Sequence, residues 1–372
     1  MSRPNQKFAV PGGAVARLRI IDSTTKIKGL PLDYLMTPAM PGMDVLPEAP
    51  TWSFLVESDT GRKALFDLGV PPNWREFSPV VATPLQTRGW GEPSGEKHVA
   101  DILVEEGVDL SSINSIIWSH WHYDHIGDPS TFPPSTELIV GPGFKEAFCP
   151  GWPARQDSPV RESDFAGRPL REITFSEPNA LQIGPFPAYD LFGDGSFYLL
   201  DTPGHAIGHL AGLVRTTPDT FVMMGGDLCH HGGELRPSEM MPLPAQVQLP
   251  SLSLNPNQYP GCACICPGSA FQHIQETRGR KADEPFFDPA IGYDIPETIR
   301  TIKKVQGADA GENIFFIYAH DTSIRGVVDL FPATANEWKA KGWREKVFWR
   351  FLEDFGGALP SDLSLARVEE GQ

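Results

Sequence analysis

Residues 118–127 read WSHWHYDHIG, which places His120, His122, Asp124 and His125 within six positions. His120 and His122 are one residue apart, and alternate side chains of an extended chain share a face. Both imidazoles can therefore reach one metal ion. Asp124 and His125 follow where the chain must turn away from the strand that delivers the motif, so they point elsewhere and suit a second ion. A solitary histidine such as His98, His209 or His273 reads as an ordinary satisfied side chain. Four candidate ligands at one turn read as a metal site.

Two ions need more ligands than one turn supplies, so others must come from other strand ends. The apolar run FYLLD (197–201) leads into TPGH and offers His205, FVMMGGD (221–227) ends in Asp227, and IFFIYAHD (314–321) offers His320. Each lies beside a turn former or small residue just past a strand-like run, where a side chain can reach a shared pocket.

The remaining sequence narrows the class. With 31 basic and 47 acidic residues the formal charge is −16, and about 40% of the 372 residues are apolar, enough for a large core. Such an acidic chain repels phosphate backbones, so nucleic acid is not an expected partner. The start, MSRPNQKFAVPGG, has no apolar signal core, Ser2 stands where myristoylation needs glycine, no run approaches 18 apolar residues, and no CaaX signal ends the chain. The expectation is a cytoplasmic protein without a membrane segment. The five cysteines, at 149, 229, 262, 264 and 266, are an odd set. They are expected to be buried small hydrophobes, because CACIC is too tightly spaced for a structural zinc site and lacks a second pair.

Strands are expected at 14–22, 52–57 and 64–68, the last two joined by the turn SDTGR into an antiparallel opening. HVADILVEEGVD has Val99, Ile102 and Leu103 on one helical face before Gly107, and SIIWS then delivers the metal motif at a strand end. Further strands are expected at 197–201, 211–215, 221–225 and 314–319. Asp294 with Glu297 resembles a capping box and opens a helix with Ile295, Ile299, Ile302 and Val305 on one face. Residues 336–353, with Trp338, Trp343, Phe348, Trp349 and Phe351, suggest a last helical region kinked at Gly342, its aromatic face in the core. TPAMPGMDVLPEAP (37–50) reads as a packed loop or pocket wall. The proline-rich stretch at about 231–293 reads as an insertion within a single 1–372 domain, forming a lid or pocket wall or else a structural wrap.

H-x-H-x-D-H, a following T-P-G-H, a strand-terminal aspartate and a last histidine together resemble the metallo-β-lactamase superfamily over roughly residues 14–325. The resemblance implies an αββα sandwich, two mostly antiparallel sheets flanked by helices, with metals at one edge. By matched position it implies that His120, His122 and His205 hold a first ion, that Asp124, His125 and His320 hold a second, and that Asp227 bridges them. Asp67, in LFDLG, matches a position that supports the ligand loops, and Tyr123 one that lines the substrate pocket. A glutamate at 122 would have marked the oxygen-reducing diiron branch and a cysteine at 227 the antibiotic-hydrolysing branch; neither is present. The AHD ending at Asp321 and the extended middle look closest to quorum-quenching lactonases and their fungal lactonase and lactamase members.

The pattern departs from those lactonases in one place. They carry a tyrosine three residues after the bridging aspartate, where its hydroxyl polarises the substrate carbonyl, whereas Asp227 is followed by Leu228, Cys229 and His230. His230 could donate to the same oxygen or protonate a leaving group, and His231 could take either part. The implied enzyme opens a small cyclic ester, carbamate or amide with water activated between two divalent ions, Asp124 accepting its hydrogen bond, in detoxification or signal degradation. Histidine and carboxylate ligands without thiolate suit zinc first and accept manganese, cobalt or iron(II). A thioesterase of the same fold and a non-catalytic metal-stabilised binding protein are the competing readings. A homodimer is compatible with exposed apolar loops.

Overall fold

The computed structural model describes residues 7–176, 180–249, 252–253, 265–359 and 366–367. Two six-stranded sheets face each other. The first contains β1 (Ala16–Asp22), β2 (Trp52–Ser58), β3 (Lys63–Phe66), β4 (Ser115–Ile117), β5 (Glu137–Val140) and β6 (Leu170–Glu172), side by side in that order. The second contains β7 (Leu181–Ile183), β8 (Phe186–Asp190), β9 (Phe197–Asp201), β10 (Leu210–Thr217), β11 (Thr220–Met224) and β12 (Ile314–Ile317), again in order.

Strand alternation assigns the layers. Leu18, Ile20, Phe66, Ile117 and Ile139 of the first sheet meet Phe197, Leu199, Val222, Phe315 and Ile317 of the second in one inter-sheet core. Their sequence neighbours point outward, as a two-residue period requires. Leu65, Ile116 and Leu138 pack beneath the helices α1 (Pro79–Thr87) and α2 (Val99–Glu105). Leu200, Met223 and Phe316 pack beneath Ile302 and Val305 of the long helix Ile295–Asp309. The expected αββα sandwich is thus present. At its start, Asp294 caps that helix by accepting from the Glu297 N–H at 2.9 Å.

Two details differ from expectation. The first sheet is antiparallel only across β1–β2–β3, and parallel from β3 through β6. Of those parallel strands β3 and β4 were expected, whereas β5 and β6, four and three residues long, are too short to announce themselves by alternation, and helical crossovers connect the set. The aromatic region 336–353 is not one helix. Gly342 adopts a left-handed φ of 63°, only Trp343–Val347 is α-helical, and a 3₁₀ segment, Arg350–Ala358, follows. Trp338, Trp343 and Phe351 are nevertheless buried.

A further cluster joins the 30–50 loop, with Leu35, Met40 and Met43, to Val247, Phe271 and Phe287 of the 231–293 stretch and to Phe351 and Phe355. Cys266 is buried there, Cys229 lies under the second sheet and Cys149 is half-buried. Cys262 and Cys264 lie outside the described residues. No helix among the described residues is long and apolar enough to cross a membrane.

Candidate metal centre

Five strands of the two sheets end at the same edge, and each is followed by a polar side chain of the site. Asp67 follows β3, the WSHWHYDHIG motif follows β4, His205 follows β9, Asp227 follows β11 and His320 follows β12. Two close groups result: His120, His122, His205 and Asp227, then Asp124, His125 and His320, the ligand atoms of each lying within 4.8 Å of one another.

Asp227 stands between the groups. Its Oδ2 is 3.7 Å from His120 Nε2 and 3.3 Å from His205 Nε2. Its Oδ1 is 3.0 Å from His125 Nε2 and 3.2 Å from His320 Nε2. One carboxylate therefore turns one oxygen to each group. Asp124 Oδ2 completes the second at 3.6 Å from His320 Nε2.

Outer contacts set which imidazole nitrogen faces inward. His320 Nδ1 lies 2.7 Å from the Pro50 carbonyl, an acceptor, so Nδ1 carries the proton and Nε2 is left with its lone pair. His125 Nδ1 is 2.8 Å from Asp67 Oδ2 with the same consequence. Asp67 also accepts from the Ser119 backbone N–H and hydroxyl, both at 2.7 Å, and so ties the motif's first residues to its last histidine. It does so at φ 58°, a left-handed conformation that aspartate tolerates better than most residues. Gly226 lets the Asp227 loop press in: a Cβ there would lie 2.9 Å from both His209 Nε2 and Ser119 Cβ.

Burial holds His120, His122 and His205 below the ordinary histidine range, so they stand ready as neutral donors. Burial also disfavours the cations of His125 and His320, but the surrounding carboxylates together outweigh it and raise both: Asp227, Asp67 and Asp124 at His125, Asp227 and Asp124 at His320. The donor set fits metal ions. His120 Nε2, His125 Nε2 and Asp227 Oδ1 are buried and, close as they lie, make no hydrogen bond, a costly arrangement that a cation in each group relieves.

A cleft of about 510 Å³ opens over these groups, and His122, Asp124, His205, Asp227, His230 and His320 line its floor. Tyr123 borders it as well. Its walls are largely apolar: Val80, Val81, Pro84 and Leu85 from α1, Leu30, Tyr34 and Leu35 from the 30–50 loop, and Trp121 with Phe148 opposite. From the described part of 231–293, Ile291 lines this cleft. His230 sits within it, Nε2 3.5 Å from Asp227 Oδ2, its ring nearly parallel to His320 with centroids 5.9 Å apart. Burial opposes its protonation, yet Asp227 and Glu234 push its pKa up to about 10.

His231 is a correction. It does not line the cleft: its Nδ1 accepts from the Gly233 N–H at 3.0 Å, its Nε2 lies 3.2 Å from Asp354, and its ring packs against Phe287, Phe351 and Phe355. An extended backbone at His231 (φ −152°) sends consecutive side chains to opposite sides, so only His230 faces the site.

Three contributors went unread in the sequence. Helix α1 carries a start signal, proline just after Ser78, but Pro84 in its middle argues against a helix. Trp121, between the two first histidines, alternates away from them and becomes a wall. His209 is a satisfied histidine, as expected, but its partner is the backbone of Asp227.

A two-sheet sandwich with histidine and carboxylate groups gathered at one edge defines a class of metal-dependent hydrolases. The Metallo-beta-lactamase superfamily model matches residues 46–239, and the chain belongs to that superfamily. It is 43% identical to Gamma-lactamase FDB1 of Fusarium pseudograminearum (strain CS3096) over 90% of this chain and 81% of the relative. It is 39% identical to Metallo-hydrolase mfmC of Annulohypoxylon moriforme over 96% of this chain and 92% of the relative. Among solved structures, a quorum-quenching N-acyl homoserine lactone hydrolase superposes with a TM-score of 0.55 at 18% identity, covering 87% of this chain and all of that one. The enzyme is therefore a hydrolase of this superfamily, built on the fold of the lactonases.

Proposed function

We propose that the enzyme opens a small, largely apolar cyclic amide, carbamate or ester with two divalent cations, zinc first among them. The observation that carries this reading is the division of Asp227, one oxygen toward His120 and His205 and the other toward His125 and His320. His120, His122 and His205 would hold one cation, Asp124, His125 and His320 the other, and Asp227 both. Cations held there supply Lewis acidity and make water a competent nucleophile near neutral pH.

The chain's own residues do the rest. Asp124, on the cleft floor, accepts a hydrogen bond from the attacking water and orients it. His230 donates to the carbonyl oxygen as it gains charge, or hands its proton to the departing nitrogen or oxygen. The walls of α1, Tyr34, Trp121 and Phe148 exclude water and take up the apolar body of the substrate, with Tyr123 at its edge. The lactamase name of the Fusarium relative supports a ring amide as the first substrate to try.

A cleft of about 510 Å³ suits a compact substrate and favours this reading over a thioester presented on a long carrier arm. The test is metal analysis followed by hydrolysis assays on a panel of lactams, cyclic carbamates, lactones and thioesters. Two metals per chain, chelator-sensitive opening of ring substrates and recovery on adding zinc, manganese or cobalt are expected. Metal-replete protein that leaves every ring intact and cleaves only thioesters would overturn the proposal in favour of a thioesterase. Inertness towards the whole panel would favour a binding protein.

A further inference from the structure

Glu234 is 1% exposed, yet no part of the metal groups uses it. It lies four residues beyond His230 on the single helical turn Gly232–Leu235, whose first N–H is anchored by donating to the Tyr318 hydroxyl at 3.0 Å. The turn brings the carboxylate back beneath His230. Glu234 Oε2 accepts from the His230 backbone N–H at 2.5 Å and lies 3.7 Å from His230 Nδ1.

Two buried polar atoms here have no hydrogen-bond partner: Glu234 Oε1 and His230 Nδ1. Leaving such atoms unsatisfied is costly, and they belong to neighbouring side chains whose nearest contact is 3.7 Å. Catalytic hydrogen bonds are often long in a free enzyme and tighten once substrate is bound. The backbone contact is already made and holds the segment that follows Asp227, Leu228 and Cys229, the last two packed under the second sheet.

We infer that Glu234 is a positioning residue for His230, holding its backbone and closing onto its Nδ1 so that Nε2 stays aimed at the cleft. This rests on the role given to His230 above. It explains why a carboxylate is buried beside a histidine that replaces the lactonase phenol: an imidazole needs a partner on its far nitrogen to fix ring orientation, whereas a phenol has one polar atom.

The experiment compares Glu234→Gln, Glu234→Asp, Glu234→Ala, His230→Ala and the double variant His230→Ala/Glu234→Ala on the preferred ring substrate, with metal content measured for each. Glutamine keeps an acceptor at the same reach and should retain activity within about threefold. Aspartate, one methylene short, and alanine should lower kcat about tenfold or more with KM within about threefold and metal content unchanged. The double variant should be no worse than His230→Ala, since both changes remove one device. Should alanine fail to fold, the contrast between glutamine and aspartate decides. Independent, multiplying losses from the two sites would overturn the inference, as would metal loss in the aspartate variant or wild-type kcat there beside an impaired His230→Ala. If His230→Ala is itself as active as wild type, the role of His230 fails first and the inference with it.

Discussion

The backbone N–H of Asp227 donates to His209 Nε2 at 3.1 Å, so a histidine that is not a ligand fixes the residue shared by both groups. His209 Nδ1 in turn lies 3.0 Å from the Thr202 carbonyl, which only accepts. The ring must therefore stay neutral, with its proton on Nδ1, for both bonds to exist.

Burial first, and the neighbouring His205 next, lower the His209 pKa from 6.5 to about 3. A group whose folded pKa is depressed contributes stability above its unfolded pKa and loses it as pH falls. The window here runs from about pH 6.5 down to about 3, and at about 1.4 kcal/mol per unit the contribution is at most about 5 kcal/mol. Glutamine cannot titrate, so His209→Gln should be less stable at neutral pH and show a flatter acid limb. Urea unfolding of metal-free wild type and variant between pH 7.5 and 4 measures this, and parallel pH profiles would refute it.

Asp67 joins Ser119 to His125, and its replacement separates fold from metal affinity. Asparagine tolerates the left-handed backbone and keeps the volume, but not the charge that holds His125 Nδ1–H. Asp67→Asn should weaken one of the two proposed sites about 10–100-fold, so that protein dialysed against limiting zinc retains close to one ion rather than two. Its far-ultraviolet circular dichroism should match wild type. Two ions bound at undiminished affinity would show that Asp67 has no hold on the ligands.

His230→Ala removes one preorganised donor from the cleft floor, and turnover on the preferred ring substrate should fall about 100- to 1000-fold with metal content intact. His230→Tyr restores the residue type that resembling lactonases use and should recover part of the loss, more for esters than for amides, because a ring nitrogen needs a proton to depart. A fall below about threefold in the alanine variant would end the proposed role.

The metal groups were legible in the sequence because ligands are rare residue types bunched at strand ends, and a strand end is readable from its apolar run. The long strands were legible for the same reason, but not which face was which: FYLLD and IFFI alternate between two layers that are both dry, so they appear as continuous apolar runs. Leu170–Glu172 could not be read, since none of its three residues is fully buried and only pairing with β5 makes it a strand. His231 was not separable from His230 in the sequence, because only the extended backbone there turns the two neighbouring side chains to opposite sides. Glu234 and the Asp227 to His209 bond depend on how loops fold back, which no local pattern encodes.

The cleft wall yields the last prediction. Val81 of α1 is half-buried, lines the cleft and belongs to neither metal group, so enlarging it is expected to narrow the space for the substrate body while leaving the floor's own residues in place. Contacts with that body hold ground state and transition state alike, and their loss appears in KM rather than kcat. Val81→Trp should raise KM about tenfold or more for bicyclic lactams and carbamates and much less for single-ring substrates, with kcat for both within about threefold. Steady-state kinetics on paired one-ring and two-ring substrates decide it. Equal KM changes for the two sizes would mean that α1 does not bound the substrate, and a matching collapse in kcat would mean that the substitution reaches the floor.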